Sequence, residues 1–372
     1  MKIAFCNRKK WNNPLGGDGI QMLKTKEAIE RLNNDIEIDI VTDTSNLSNY
    51  YDIVHIFNYA CTNETEAFIK AAKRSNIPIA SSSIFWEYKY AATPPLQRIG
   101  LIPNSISNRY IRFNIMLNKI LARTIGKPSL MTDKFRRKVM NFMLESDVIL
   151  PNSKEEGDLL LQFIDNTKIK EDCRKKINIV YNGVDVDNVH IIPRDDFFKK
   201  YNIPQNYILQ VSRIQYIKNQ LNLISALKND IDIPIVFVGQ DIEKHYCGKV
   251  QKLAKKRGNV YFIPHIPHED VYSFYFYART HVLLSFRESP GLVSLEALSQ
   301  GCPIVVADKR FTPVDTYFTA EGVQIVDPLD LNDIRNGILK SYNSKISNIS
   351  LHDFTWNNIA IQTLKAYKTI KL

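Results

Sequence analysis

Two glutamates, Glu288 and Glu296, are separated by seven residues that include a proline and a glycine. Ser289 and Pro290 predict a helix start here, because a serine hydroxyl caps free N–H groups and proline is tolerated in the first turn. That turn leaves backbone N–H groups unpaired, the helix dipole favours an anion beside them, and Gly291 allows a ligand to approach closely. A phosphate can therefore bind at the helix end, while Glu296 reaches a ribose diol and Glu288 reaches a sugar hydroxyl.

Apolar runs flank this stretch and predict the elements that position it. Residues 282–285 are typical of a buried strand, and residues 304–307 are typical of a second one. Gly301 and Pro303 end the helix between them, whose apolar face is formed by Leu292, Leu295, Ala297 and Leu298. A strand, a sharp loop, a helix and a second strand form the usual parallel α/β unit. The alternative for the two glutamates alone is a surface helix with solvated carboxylates.

Two basic residues follow another predicted strand. Residues 207–211 are largely apolar, and the loop after them carries Arg213 and Lys218 before the next predicted helix. Two fixed cations would neutralise the charge that grows on a leaving phosphate. An arginine and a lysine on such a loop are alternatively ordinary surface residues. Together with the Glu288 stretch, they form a constellation suited to a phosphorylated sugar.

The stretch E-x7-E, with Pro-Gly-Leu inside it and Gly-Cys-Pro-Ile-Val-Val after it, resembles the signature of the family-4 retaining glycosyltransferases. The turn at 182–185 resembles that family's crossover between domains, and Phe354-Thr355-Trp356 resembles the start of its last helix. The resemblance implies the α/β GT-B fold, in which two Rossmann-like domains face each other across a cleft. It implies an acceptor-binding domain at 1–184, a nucleotide-sugar-binding domain at 185–351, and a helix at 352–372 that returns to the first domain.

In that family, a sugar passes from a nucleotide-diphosphate sugar to an acceptor hydroxyl with retention of anomeric configuration. The resemblance implies this reaction here, in the synthesis of a bacterial surface polysaccharide or glycolipid. It assigns catalytic roles to Arg213, Lys218 and Glu288. Donor binding is predicted for residues near the first strand and around these three: Gly16, Gly17, Ser212, Ile266, Pro290, Gly291, Leu292, Val293 and Glu296.

Other functions stay open at this point. A sugar-nucleotide epimerase would turn over the donor without an acceptor, and a phosphorylase would need free phosphate. A non-catalytic subunit would bind a sugar nucleotide without turnover. No cofactor is expected, since the sugar nucleotide is the substrate. Asp185 and Asp187 have the D-x-D spacing of some metal sites, but few other ligands surround this turn, so we interpret it as structural and predict metal-independent activity.

Candidates for the acceptor side lie in the first half of the chain. The predicted strand at 52–57 resembles the family's D-V-V-H-x-H strand, with Phe57 in place of the second histidine. The next predicted strand, 77–80, ends in serines and aromatic residues, and strand ends in open α/β sheets line ligand crevices. The alternatives are ordinary packing of the strand histidine and burial of the tryptophan in the core. The candidates are His55, Ser83, Trp86 and Glu87.

The formal net charge of +10 is concentrated in one region. Residues 97–140 contain ten basic residues and one acidic residue, Asp133, an excess of 10 − 1 = 9 positive charges. A helix at 108–123 with an apolar side and a basic rim suits a membrane surface, a phosphorylated acceptor, or simple solvation of its charges. The resemblance favours contact with an anionic membrane. No nucleic-acid module accompanies the charge, so nucleic acid is not expected as a partner.

Length and composition agree with a two-domain globular protein. The chain has 372 residues, of which 44% are hydrophobic and 24% are charged. Its five cysteines show no CxxC spacing, which favours a reducing compartment. No signal peptide and no apolar run of the roughly 20 residues that a membrane span needs is visible. We therefore expect a cytoplasmic protein with peripheral contact at the inner face of the cell membrane.

Overall fold

A computed structural model of the chain describes residues 1–12, 16–87, 133–186, 189–264, 266–346 and 350–370. The described residues form two compact units. The chain leaves the first unit after Val184 and returns to it at Leu351, so the second unit is inserted within the first. Each unit is a parallel β-sheet with helices, and the predicted architecture of two Rossmann-like α/β domains is confirmed.

The first unit has a five-stranded parallel sheet in the order β2-β1-β3-β4-β5. Its strands are β1 (Lys2–Cys6), β2 (Glu37–Val41), β3 (Ile53–Phe57), β4 (Ile79–Ser82) and β5 (Val148–Ile149). Its helices are α1 (Gly17–Leu32), α2 (Thr62–Arg74), α3 (Asp133–Glu145), α4 (Lys154–Leu161), α5 (Thr167–Lys176) and α13 (Trp356–Tyr367). Every residue of β3 is buried, because strands of a parallel sheet are covered on both faces.

The apolar segment at 177–181 forms no strand. Ile177 makes an isolated bridge to Ile149, and the N–H of Asn178 donates to the carbonyl of Ile149 at 2.9 Å. β5 is only two residues long, so it offers too little ladder for another strand to join. The segment stays extended beside the sheet without becoming part of it.

Two sequence motifs that are far apart in the chain meet in the first unit. Trp356 packs against Gly183 so closely that a Cβ added at Gly183 would lie 2.6 Å from the indole Cδ2 atom. The N–H of Val184 donates to the carbonyl of Phe354 at 2.7 Å, and the hydroxyl of Thr355 caps α13. The glycine of the crossover turn is therefore required by the tryptophan that begins the last helix.

The second unit has a six-stranded parallel sheet in the order β11-β10-β9-β6-β7-β8. Its strands are β6 (Ile208–Val211), β7 (Ile235–Val238), β8 (Val260–Ile263), β9 (Thr280–Leu283), β10 (Ile304–Ala307) and β11 (Val323–Val326). Its helices are α6 (Arg194–Tyr201), α7 (Gln220–Ala226), α8 (Lys244–Arg257), α9 (His268–Tyr277), α10 (Leu292–Ser299), α11 (Val314–Tyr317) and α12 (Leu331–Tyr342). The core of this unit lies between the sheet and its helices and includes Ile224, Val250, Leu284 and Ile338, all fully buried.

Candidate functional site

The second sheet has its topological switch point between β6 and β9. From β6 the chain adds β7 and β8 on one side and then continues with β9 on the other side. The loops that follow β6 and β9 therefore diverge, and ligands of open α/β sheets bind between such loops at the carboxyl ends of the strands. Arg213 and Lys218 lie in the loop after β6, and Glu288 lies in the loop after β9. The topology thus brings the predicted catalytic residues to one edge of the sheet.

Lys218 and Glu288 form an ion pair between the ammonium Nζ and the carboxylate Oε1. Their side chains are only 17% and 13% exposed. Next to the pair, the N–H of Phe286 donates to the carbonyl of Ile217 at 2.8 Å, which joins the two loops through their backbones. The sequence analysis gave the lysine and the glutamate separate roles and did not predict that they contact each other.

Two buried glutamines hold the loop after β6, which carries Arg213 and Lys218, at its two ends. The amide Nε2 of Gln210, on β6, donates to the carbonyl of Lys218 at 2.8 Å and to Ser212 Oγ at 3.3 Å. The amide Nε2 of Gln220, on α7, donates to the carbonyl of Arg213 at 3.0 Å and to Ser212 Oγ at 3.1 Å. The sequence analysis missed both glutamines. A polar residue in the otherwise apolar run at β6 was the available signal, because buried polar groups are almost always hydrogen-bonded.

Ser212 and Arg213 keep hydrogen-bonding capacity beyond these contacts. Ser212 Oγ accepts from both glutamine amides, so its own O–H can donate elsewhere. The guanidinium of Arg213 is partly exposed and makes no hydrogen bond or ion pair with the residues that the structure describes. Gly239 supports this loop from the end of β7: its φ is +140°, and an added Cβ would lie 2.2 Å from the Ser212 carbonyl oxygen.

The helix between the two predicted glutamates begins later than the sequence predicts. Its N-cap is Gly291, with a φ of 95°, and its first residue is Leu292, so a start at Ser289 and Pro290 is wrong. A Cβ at Gly291 would lie 2.9 Å from Leu283 Cδ2, which explains why the chain turns into the helix at a glycine. No side chain caps α10, and its first turn is partly exposed. The backbone N–H groups at this helix end therefore suit an anion.

Glu296 accepts a hydrogen bond from a buried tyrosine that was not predicted from the sequence. The carboxylate lies on α10 and is 8% exposed. The hydroxyl of Tyr275, which is buried on α9, donates to Glu296 Oε2 at 3.0 Å. Burial and the charge of Glu296 raise the pKa of Tyr275 well above its usual value, so this phenol remains a donor. Tyrosines are common in apolar helices, and nothing in the sequence distinguished this one.

Ile266 and its neighbours lie at the end of β8. Ile266 is partly exposed, as contact with a base would require, and Pro267 is the N-cap of α9. The cap position carries no side-chain hydrogen bond, and Glu269 lies exposed in the first turn of α9. Ile266 therefore stays a candidate for donor binding.

Gly16 and Gly17 lie at the start of α1 and not in a free loop. Gly16 is the N-cap without a side-chain hydrogen bond, and Gly17 is the first helical residue. An ion pair between Arg8 and Asp18 follows the end of β1, and Asn58 donates to the same carboxylate at 3.1 Å. The glycines thus stand beside a polar cluster at the carboxyl edge of the first sheet.

His55 is a packing residue, as the second interpretation of the sequence held. Its ring is 1% exposed, its Nδ1 lies 2.6 Å from the hydroxyl of Tyr367 on α13, and its Nε2 lies 2.9 Å from Ser82 Oγ. Burial lowers the pKa of His55 to about 3. The acceptor-side role is therefore not supported, since both ring nitrogens are used to join the last helix to the sheet.

Ser83 and Trp86 are also buried. Ser83 is fully buried and donates to Oε1 of Glu156, which also accepts from the N–H of Phe85 at 2.8 Å. Trp86 is 5% exposed, as in the core alternative. Both side chains pack at the strand end, and their acceptor-side role stays a prediction. Glu87 is partly exposed and is the last residue described before position 133.

The predicted basic region falls largely outside the described residues. The helix predicted at 108–123 lies there entirely, and the described part begins with α3. In α3, Lys138 pairs with Glu66 at 2.8 Å. Of the helices that the structure describes, none is both long and apolar enough to span a bilayer. Over the same residues, no group of three or more histidine, cysteine or acidic side chains is placed to hold a metal ion.

Comparison with known proteins identifies the second unit. Residues 193–352 match the family model "Glycosyl transferases group 1". The chain is 27% identical over 187 residues to the O-antigen chain mannosyltransferase B of Escherichia coli, covering 46% of this chain and 48% of that protein. It is 30% identical over 135 residues to the O-antigen biosynthesis glycosyltransferase WclY of Escherichia coli, covering 36% of this chain and 38% of that protein. The chain thus spans less than half the length of these curated relatives.

Solved structures share the fold over nearly the whole chain. Sucrose-phosphate synthase from Thermosynechococcus elongatus has a TM-score of 0.71 at 15% identity, covering 99% of this chain and 98% of that one. The Anabaena protein HepE, solved with UDP and glucose, has a TM-score of 0.64 at 14% identity, covering 100% of this chain and 96% of that one. Such low identities show the fold alone, which is that of the GT-B glycosyltransferases.

Proposed function

We propose that this chain, a glycosyltransferase by the group 1 domain at residues 193–352 and by its fold, transfers a sugar from a nucleoside-diphosphate sugar to an acceptor hydroxyl. The observation that carries the proposal is the constellation at the β6–β9 switch point: the Lys218–Glu288 ion pair, the guanidinium of Arg213 and the uncapped start of α10. Two relatives are named for O-antigen synthesis, which supports a role in making a bacterial surface polysaccharide or glycolipid.

The cations would bind the donor diphosphate. An ammonium group has three N–H donors, so Lys218 can keep its bond to Glu288 and still donate to a phosphate oxygen. Arg213 has no competing partner among the described residues and can donate to the same diphosphate through its planar fork. The N–H groups of Leu292 and Val293, in the first turn of α10, would receive a further phosphate oxygen. Together these groups would stabilise the negative charge of the leaving nucleotide.

The carboxylates would orient the two sugars of the donor. Glu288 is fixed by Lys218 next to Gly291 and Pro290, where it can accept from a hydroxyl of the transferred sugar. Glu296, on α10, would accept from the ribose. For retention of configuration, the acceptor would attack from the face of the leaving group, and the departing phosphate would take the acceptor's proton. This route uses neither a metal nor a cofactor.

The acceptor and the membrane belong to the first half of the chain. Glu87 is the acceptor-side candidate that the described structure leaves partly exposed. Residues 97–140 carry the excess of positive charge, and we propose that they contact an anionic membrane that holds a lipid-linked acceptor.

Donor screening by thermal shift tests the proposal. UDP-, GDP-, ADP- and CMP-sugars would be added to the wild type, to Arg213→Ala and to Arg213→Ala/Lys218→Ala, each compared with its own ligand-free melting temperature. A donor that binds the folded state raises that temperature. We expect a shift with one nucleotide that is reduced in the single variant and lost in the double variant. Lys252→Ala/Lys255→Ala removes two exposed cations of α8 and is the matched control, which should keep the shift.

Turnover then separates transfer from the alternatives. With the donor that binds, the expected products are the free nucleoside diphosphate and a glycosylated acceptor. Turnover without any acceptor would instead identify an epimerase, and dependence on free phosphate would identify a phosphorylase. Absence of a thermal shift with every donor would contradict the transferase assignment.

A further inference from the structure

The contact between Tyr275 and Glu296 joins two helices of the second unit at the predicted donor site. Tyr275 lies on α9 and is fully buried, while Glu296 lies on α10 and is 8% exposed. The phenol donates to one carboxylate oxygen, Oε2, at 3.0 Å. The neighbouring strand supports the ring from another side, since the imidazole of His281 packs edge-on against it with centroids 5.5 Å apart. The donor to Glu296 is therefore fixed by its surroundings.

The bond from this buried donor restricts the carboxylate of Glu296. An ionised carboxylate has about four acceptor positions, of which Tyr275 uses one. A hydrogen bond to an ionised acceptor is about twice as strong as one between neutral groups, so it holds the carboxylate plane against rotation. Burial and the charge of Glu296 raise the pKa of Tyr275 well above its usual value. The phenol accordingly stays protonated and can donate to the carboxylate.

A vicinal diol needs this kind of restriction. The 2′ and 3′ hydroxyls of a ribose donate in directions that the ring fixes, and a carboxylate accepts both only in one plane. A carboxylate that rotated freely would lose orientational freedom on binding, and this loss would weaken recognition of both hydroxyls. Prior alignment by a neighbour removes that cost, as second-layer contacts do for other site residues.

Resting on the proposed function, we propose that Tyr275 is a positioning residue for ribose recognition: it aligns Glu296 so that the site selects ribonucleoside over 2′-deoxyribonucleoside diphosphates. Tyr275 itself touches no ligand. Its loss should therefore act on the difference between ribose and deoxyribose more than on the affinity for the nucleotide as a whole.

Calorimetric titration with ribonucleoside and 2′-deoxyribonucleoside diphosphates tests this inference. The probes are UDP, GDP and ADP with dUDP, dGDP and dADP, and the readout is the ratio of the two dissociation constants for the base that binds. We expect Tyr275→Phe to reduce this ratio by about 3- to 10-fold, less than the removal of a hydrogen bond to a charged group would, because the contact between Glu296 and the ribose is misaligned and not removed. The affinity for the 2′-deoxy form should fall by less than the affinity for the ribo form, because only the 3′ hydroxyl is left to bind Glu296 in that complex.

Tyr207→Phe is the matched control. Tyr207 is also fully buried, and its hydroxyl donates at 2.7 Å to the backbone carbonyl of Phe274 on the same helix, α9. Removal of this hydroxyl should lower the melting temperature and leave the ribose preference unchanged. In a Glu296→Gln background, Tyr275→Phe should have no further effect on the ratio, since the charged partner that it aligns is gone.

The outcomes distinguish this inference from the function on which it rests. If Tyr275→Phe left the ratio unchanged, for example by weakening both nucleotide forms equally, the positioning role would be overturned. The proposed donor site would not be affected by that result. A wild type that binds none of the six nucleotides would contradict the proposed transferase function itself.

Discussion

The ammonium of Lys218 and the carboxylate of Glu288 are paired at the carboxyl edge of the second sheet, with side chains 17% and 13% exposed. They come from loops on either side of the β6–β9 switch point, and their contact links the proposed phosphate site to the proposed sugar site. A charge that loses its partner in such surroundings keeps its desolvation penalty. The stability of this edge and its chemistry are therefore coupled through one ion pair.

Breaking the pair on one side should destabilise the protein more than replacing both sides. We expect Lys218→Ala to lower the free energy of unfolding by about 2–4 kcal/mol, because Glu288 is left mostly buried without its cation. Lys218→Met/Glu288→Leu should recover most of that loss, while sugar transfer stays abolished. Urea denaturation and nucleotide release measure the two effects. A double variant less stable than either single variant would contradict this prediction, because it would show that the ion pair makes a net contribution to the stability of the fold.

Loss of the Gln220 contacts should weaken both the fold and the binding of the donor. Gln220→Ala removes the bonds to the Arg213 carbonyl and to Ser212 Oγ, which leaves a carbonyl unsatisfied at a cost of about 1–3 kcal/mol. The freed loop should weaken donor binding by about tenfold, because Arg213 is no longer fixed in place. Titration with the donor measures this, and Gln251→Ala on the exposed face of α8 is the control. An unchanged donor affinity would show that the loop is positioned without the hydrogen bonds of Gln220.

Two glycines of the second unit should respond oppositely to alanine. Gly239→Ala would place a Cβ 2.2 Å from the Ser212 carbonyl at a φ of +140°, so the sheet edge has to shift. We expect a loss of about 3 kcal/mol or more in the free energy of unfolding. Gly248, within α8, has no atom within 4 Å of an added Cβ, and Gly248→Ala should stabilise by about 0.5–1 kcal/mol. Chemical denaturation of both variants checks the contrast. Equal effects of the two substitutions would contradict the close approach at Ser212.

The burial of His55 predicts a loss of stability in mild acid. Its pKa is about 3 in the folded protein, against the ordinary histidine pKa of about 6.5, so the unfolded chain binds an extra proton below about pH 6.5. The stability that this histidine contributes is complete above pH 6.5 and falls as the pH drops toward 3, by up to about 1.4 kcal/mol per pH unit. His55→Gln should flatten the dependence by that amount between pH 6 and 4.5 in urea titrations. His352→Gln alters an exposed side chain and should leave the slope unchanged.

Membrane contact through residues 97–140 predicts binding that depends on salt. The protein should sediment with liposomes that contain anionic lipid at low ionic strength and should be released as salt is raised, because screening shortens the range of the attraction. Replacement of Arg109, Arg112, Lys119 and Arg123 by glutamine should lower the bound fraction, whereas Lys252→Gln/Lys255→Gln on α8 should not. No sedimentation at low salt would end the membrane hypothesis.

Local sequence patterns predicted an element of the fold well where the residues of that element alone indicate whether it is a strand or a helix. The apolar runs at β1, β6, β9 and β10 became buried parallel strands, because burial of both faces requires such runs. The segment at 177–181 did not become a strand. Its apolar pattern is suitable, but β5 offers too short a neighbour, and strand formation depends on a partner that the segment does not contain.

The candidate site was predictable in its charged residues and not in what holds them. Lys218 and Glu288 were each visible from their neighbours in sequence, but their contact depends on the order of strands in the sheet. Gln220 and Tyr275 act through hydrogen bonds to distant segments, and no local pattern marks them. The start of α10 was misplaced because Ser289 and Pro290 are common at helix starts, whereas the left-handed conformation of Gly291 depends on packing against Leu283.

The return of α13 to the first unit also determines an order of events at the ribosome. His55 and its partner Tyr367 are 312 residues apart, and the whole second unit lies between them. A nascent chain that has emerged as far as residue 350 contains all of the second unit, but its first unit still lacks the helix that packs on α1 and beside Gly183. The second unit can therefore fold while the first is still incomplete. The apolar face of α1 that packs on α13 therefore stays uncovered until the last helix has been synthesised.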